Sequence, residues 1–147
     1  MDIRTVETVN AIIMALFFLC YSYQFFYVAV ALLRRPKESG QGACHRLAVL
    51  IAARNESAVI GELLESLRME NYPPGLVDVY VGADNCTDDT AAVARAHGAV
   101  VYERTDAVHI GKGYVLNFLL HCIAAAGRHY DAYVVLDADN ILDPDFL

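Results

Sequence analysis

An open parallel α/β sheet preceded by one transmembrane helix is the fold class the sequence predicts. Three observations point to it. Residues 11–33 form a long apolar run, and residues 46–147 alternate short apolar runs with polar turns and amphipathic stretches. Two carboxylates, Asp137 and Asp139, stand one residue apart directly after the strand-like run Tyr133-Val134-Val135-Leu136. Ligands of open α/β sheets collect beyond the carboxyl ends of the strands. A carboxylate pair placed there can hold a divalent cation against a diphosphate, which points towards nucleotide-sugar chemistry.

The elements follow in order. The first is a helix over 9–34. A rise of about 1.5 Å per residue carries its apolar run across a hydrocarbon core of about 30 Å. Asp2, Arg4 and Glu7 precede it, and Arg34, Arg35 and Lys37 follow. That asymmetry favours a cytoplasmic soluble part and a single pass through the cell membrane. A cleaved signal peptide carries its positive charge in the opposite order. Tyr21, Tyr23, Gln24 and Tyr27 interrupt the apolar run without adding charge. Residues 35–45, with Pro36, glycines and polar residues, read as a membrane-proximal linker.

The soluble part spans 46–147 and is short for a complete nucleotide-dependent enzyme, so it is expected to be the N-terminal part of a larger domain. Leu47-Ala48-Val49-Leu50-Ile51-Ala52 has the unbroken apolar character of a strand covered on both faces. After the turn Ala53-Arg54-Asn55-Glu56, the residues Val59, Ile60, Leu63, Leu64 and Leu67 recur at helical spacing. Asn71-Tyr72-Pro73-Pro74-Gly75 stops that helix. Residues 76–81 read as a second strand, followed by the polar turn Ala83-Asp84-Asn85-Cys86-Thr87-Asp88-Asp89-Thr90. Thr87 is the expected cap of a helix through Ala96, which Gly98 ends. A short strand over 100–102, a helix from Tyr114 to Ala126 and the strand at 133–136 complete a βαβαβ rhythm.

Several functions are excluded on composition and spacing. A net charge of −7 lacks the basic footprint of nucleic-acid binding. Cys20, Cys44, Cys86 and Cys122 form neither a CxxC pair nor a zinc-like pattern with histidine, and separate thiols suit the cytoplasm. No G-x-G-x-x-G follows the first strand. Gly111-Lys112-Gly113 fails the ATPase loop pattern, because Gly113 occupies the Ser/Thr position.

The turns together resemble family 2 glycosyltransferases of the GT-A fold, particularly membrane-attached bacterial members. The residues that carry the resemblance are Ala52-Ala53-Arg54-Asn55-Glu56 after the first strand, 83–90 after the second, Gly111-Lys112-Gly113-Tyr114-Val115-Leu116-Asn117 at the later helix, and the DxD site Asp137-Ala138-Asp139. The family commonly has proline where this chain has Ala52 or Ala53, and Asp/Ser where it has Asn85 and Cys86. The fold it implies is a GT-A-type nucleotide-binding open parallel sheet, incomplete at this length.

The resemblance also implies roles. The backbone at Ala53 and the side chain of Glu56 would help form a nucleotide pocket, and Asp84 would contact the base, where a carboxylate can accept a uracil-type N–H. On its own each acidic residue is equally at home in a turn or a first helical turn. Lys112 is either a cation for phosphate or an exposed loop lysine; the resemblance favours the donor site. Arg54 is expected at the surface, and His109 as a solvated or locally paired residue. Asp139 would be the direct ligand of Mg²⁺ or Mn²⁺, with Asp137 on the sugar or ribose side. The implied reaction is an inverting transfer from a nucleotide-diphosphate sugar, with UDP as the leading nucleotide, to a hydroxyl acceptor on a polysaccharide or a lipid-linked molecule. The family's catalytic base lies downstream of these motifs, so none is assigned here. The competing reading is a non-catalytic nucleotide-sugar-binding or membrane-complex assembly protein.

Overall fold

The computed structural model describes residues 2–33, 44–73 and 75–147. The chain divides into two compact units, one helical and one built around a sheet. The expected linker over 35–45 and the basic residues Arg34, Arg35 and Lys37 lie outside the described residues, apart from Cys44 and His45.

The first unit is a single helix, α1 (Ile3–Leu33), of 31 residues with none buried. It starts earlier than the expected 9–34. The carbonyl of Asp2 accepts the Thr5 and Val6 amides, and the Thr8 hydroxyl donates to the Arg4 carbonyl. These bonds wind the polar flank into the same helix. A helix of this length spans about 46 Å. Beyond Glu7 it is apolar all round, which in a helix means burial in a large core or in a bilayer. It is long and apolar enough to cross a membrane.

The second unit contains β1 (Leu47–Ala53), α2 (Ile60–Arg68), β2 (Val77–Asp84), α3 (Thr90–Ala96), β3 (Val100–Arg104), α4 (Lys112–Ala125) and β4 (Ala132–Asp137). The four strands are parallel in the order β3-β2-β1-β4. Side chains of β1 alternate between the two faces, as the period of a strand requires. Val49, Ile51 and Ala53 pack in one core with Ile60, Leu63, Leu64 and Leu67 of α2 and Ala94 of α3. Ala48 and Leu50 pack in the other with Tyr80, Leu119 and Ile123, the last two from α4. Each large aliphatic side chain of α2 buried this way contributes about 1.5–3 kcal/mol.

Gly82 is the closest approach between sheet and helix. A β-carbon there would stand 2.5 Å from Val115 Cγ1, so α4 packs against bare backbone. Tyr80 is buried beneath the same helix. Its hydroxyl donates to Tyr130 (2.6 Å), which in turn donates to Asp78, leaving no unpaired phenol in the core.

The chain adds β2 and β3 on one side of β1 and then returns to place β4 on the other. The crevice between the carboxyl ends of β1 and β4 is thus the topological switch point, the usual ligand position in such sheets.

Candidate functional site

The cleft at that switch point encloses about 270 Å³ and is lined by Ala53, Arg54, Glu56, Asp84, Lys112 and Asp137, with Ile110, Gly111 and Val115. Five of the sequence-derived residues, Ala53, Glu56, Asp84, Lys112 and Asp137, therefore meet in one place. A second cleft of about 300 Å³ lies at the opposite end of the sheet, among Leu67, Arg68, Val79 and His97, where parallel sheets do not usually bind ligands.

The turn after β1 is built around Asn55, which takes a left-handed conformation at φ 57°, an arrangement asparagine tolerates better than most residues. Its Oδ1 accepts the Thr87 amide at 2.8 Å and so ties the β1 turn to the β2 turn. Thr87 is thereby engaged and does not cap α3, contrary to expectation. Asp89 holds the cap position without a side-chain bond, and Asp88 just before it ties down the helix start: Oδ1 accepts the Thr90 amide at 3.1 Å and the Thr90 hydroxyl, and Oδ2 accepts the Ser57 amide at 3.1 Å. These bonds, led by the Thr90 hydroxyl and then Ser57, hold the Asp88 carboxyl well below the usual carboxylate range. Thr90, fully buried, also accepts the Glu56 amide at 2.8 Å and fixes the start of the Glu56 segment beside the cleft.

Asp84 is the last residue of β2 rather than part of a turn and is only 3% exposed. Arg104, at the end of β3 and in register with it, donates to Asp84 Oδ1 at 2.7 Å. The same guanidinium donates to Asp106 Oδ2 and to the His109 carbonyl, both at 2.8 Å. Asp106 accepts the amides of His109 and Val108 and contacts His109 Nδ1 at 3.0 Å; the His109 amide leads in holding its carboxyl well below the usual range. His109 is thus paired locally, as the sequence suggested.

Gly111 precedes α4 at φ 128°, a conformation that favours glycine, and leads Lys112 into the first helical position. The Lys112 ammonium pairs with Asp137 Oδ1. Asp137 closes β4, Ala138 is buried, and Asp139 emerges exposed beyond it, outside the lining of the cleft. Arg54 is exposed, as expected, and also lines the cleft. Arg104 was not anticipated; its placement depends on β3 pairing with β2, which local sequence does not display. A signal was present in its position directly after Val100-Val101-Tyr102-Glu103, at the carboxyl end of a strand.

Among the described residues no three His, Cys, Asp or Glu side chains converge on a metal position. The donors Asp137 and Asp139 are hard oxygens, and Mg²⁺ is commonly bound by one or two carboxylates with phosphates and waters completing the shell. The pair fits such an ion in company with a diphosphate.

A parallel sheet with helices on both faces and an acidic-basic cleft at the switch point is an architecture of the GT-A type. Residues 45–147 match the sequence profile of the glycosyltransferase-like family 2, and the chain belongs to that family. Among curated proteins, the 4,4'-diaponeurosporenoate glycosyltransferase of Staphylococcus aureus is 47% identical over 60 residues, covering 41% of this chain and 15% of that protein. The fold is shared with the mannosyltransferase PcManGT of Pyrobaculum calidifontis, solved with GDP-Man and Mn²⁺. The two have a TM-score of 0.62 at 22% identity over 89% of this chain and 39% of the other. The glucosyl-3-phosphoglycerate synthase of Mycobacterium tuberculosis, solved with UDP, aligns with a TM-score of 0.50 at 30% identity over 66% of this chain and 35% of that one.

Proposed function

We propose that the cleft binds a nucleotide-diphosphate sugar and that the whole protein transfers the sugar to a hydroxyl acceptor. The observation that carries this reading is the convergence of Asp84, Lys112 and Asp137 on one cleft at the switch point. The solved relatives were crystallised with UDP or GDP-Man, nucleotide ligands of the class proposed here. Asp84 accepts an N–H of the base, the Ala53 backbone and Glu56 flank the nucleoside, and Lys112 offers its ammonium to the diphosphate. Lys112 must leave Asp137 to do so. The pair is exposed, and pairs of that kind are worth only about 0–1 kcal/mol. Asp139, with Asp137 beside it, would hold Mg²⁺ or Mn²⁺, which when bound offsets negative charge on the departing diphosphate.

The transfer is an inverting displacement. The acceptor oxygen attacks the anomeric carbon, the bond to the diphosphate oxygen breaks, and the hydroxyl proton passes to a base. Asp143 and Asp145 do not line the cleft; Asp145 Oδ1 accepts the Asn71 side-chain amide at 2.8 Å, and Asp143 Oδ1 accepts the Asp145 amide. The helix α1 anchors the domain at the cytoplasmic face of the membrane, in reach of polysaccharide or lipid-linked acceptors.

Calorimetric titration with UDP, with and without Mn²⁺, tests the site. Asp139→Asn is expected to weaken Mn²⁺-dependent binding more than Asp137→Asn, with Asp143→Asn as the control for lost acidity. Metal-dependent binding unchanged in a folded Asp139→Asn protein would remove the coordination role. Product analysis with nucleotide sugars and membrane-derived acceptors tests transfer: consumption of donor must depend on acceptor.

A further inference from the structure

The fold treats the two oxygens of Asp84 differently. Oδ1 accepts Arg104 Nη1 at 2.7 Å and Asn85 Nδ2 at 3.1 Å. A carboxylate oxygen has two lone-pair sites, so Oδ1 is saturated. Oδ2 carries no hydrogen bond among the described residues. Asp84 lines the cleft, and Oδ2 is the oxygen of its carboxylate left to accept a hydrogen bond there.

Both donors are held from more than one side. Arg104, with 11% of its side chain exposed, is also bound to Asp106 and the His109 carbonyl. Asn85 sits at φ 50°; its Oδ1 accepts the Asp106 amide at 3.0 Å and its Nδ2 also donates to the Asp106 carbonyl at 2.9 Å. Because Oδ1 must face that amide, the Asn85 side chain cannot be turned over, and Nδ2 is committed to Asp84. The carboxylate has no slack in which to rotate and offer both oxygens.

We propose that Arg104 and Asn85 are positioning residues that determine base specificity: by occupying Oδ1 they leave Asp84 a single acceptor, which selects a base with one imide N–H, uracil or thymine, over guanine. Guanine presents its N1–H and its exocyclic amine side by side, a pattern matched to both oxygens of a free carboxylate. Against a saturated Oδ1 the amine loses its acceptor on desolvation, and a buried donor left unpaired is penalised. Uracil needs one acceptor only, since carbonyls flank its N–H. The inference rests on the reading of the cleft as a nucleotide-diphosphate site with Asp84 at the base.

The test is calorimetric titration of the full chain with UDP and with GDP, each with Mn²⁺. Wild type is expected to bind UDP at least about tenfold more tightly than GDP, the scale of discrimination that one matched pair of base contacts supplies. Arg104→Met frees Oδ1 and brings the ratio towards one, whereas Arg104→Lys, which keeps a donor there, retains part of the preference. Asn85→Gly, compatible with the positive φ, gives a second reading of the same ratio should circular dichroism show Arg104→Met unfolded. A purely structural loss lowers both affinities together and leaves their ratio alone, so an unchanged ratio in the folded variants overturns the proposal. Wild type binding GDP as tightly as UDP also overturns it, while leaving the donor-site reading intact. Folded wild type that binds neither nucleotide overturns that reading, and this inference with it.

Discussion

Asp88 joins two segments, the start of α3 and the turn after β1, through one carboxylate, and that makes it sensitive to acid. Its folded-state pKa is depressed, first by the Thr90 hydroxyl and then by the Ser57 bond. An unfolded aspartate titrates near about 3.9. The group therefore contributes stability that is fully present above that value and is lost as pH falls from there towards the lower folded-state value. The expected outcome is a urea midpoint that drops between pH 5 and pH 3 in wild type and drops less in Asp88→Asn. Equal slopes in parallel denaturation series would show that Asp88 contributes none of the acid sensitivity. At this scale the placement of Asp84, Lys112 and Asp137 was legible in the sequence because each ends a strand or opens a helix. It did not display which of Thr87, Asp88 and Asp89 would bond the start of α3, since all three are competent to do so and the choice was made by Asn55 and Ser57 from another turn.

Among the elements, α4 carries the greatest functional consequence, because its first residue is Lys112 and its Val115 lines the cleft. It rests on Gly82. Gly82→Ala places a methyl 2.5 Å from Val115 Cγ1, and overpacking of this kind costs about 1–3 kcal/mol. The variant is expected to melt several degrees lower and, with α4 displaced, to bind UDP more weakly; a thermal melt and a titration check both. The strands and α2 were readable because their signals are local: an unbroken apolar run for β1, and helical spacing of Ile60, Leu63, Leu64 and Leu67. The ends were less so. β2 and β3 run on to Asp84 and Arg104 because those two residues face each other across the ladder, a pairing between segments that neither segment announces. α4 opens at Lys112, ahead of the expected Tyr114, since Gly-Lys-Gly has poor helix propensity and only the fold supplies the geometry at Gly111.

For the whole molecule, the proposed anchor has a direct test. Cys44 is exposed and stands just before β1. In intact cells an impermeant maleimide is expected to leave Cys44 unlabelled until lysis, with the protein retained in membranes after alkaline washing. Labelling from outside would reverse the orientation, and release by the wash would remove the membrane span. The strand order adds a consequence in time. β4 lies beside β1, the first strand made, yet it is the last of the four to leave the ribosome. Synthesis proceeds at about 5–20 residues per second, so roughly 5–20 s separate the emergence of α1 from that of Asp137. On the proposed anchoring by α1, the chain would be committed to the membrane while its cleft still lacks a wall, and the pairing of Lys112 with Asp137 would form only after delivery has begun.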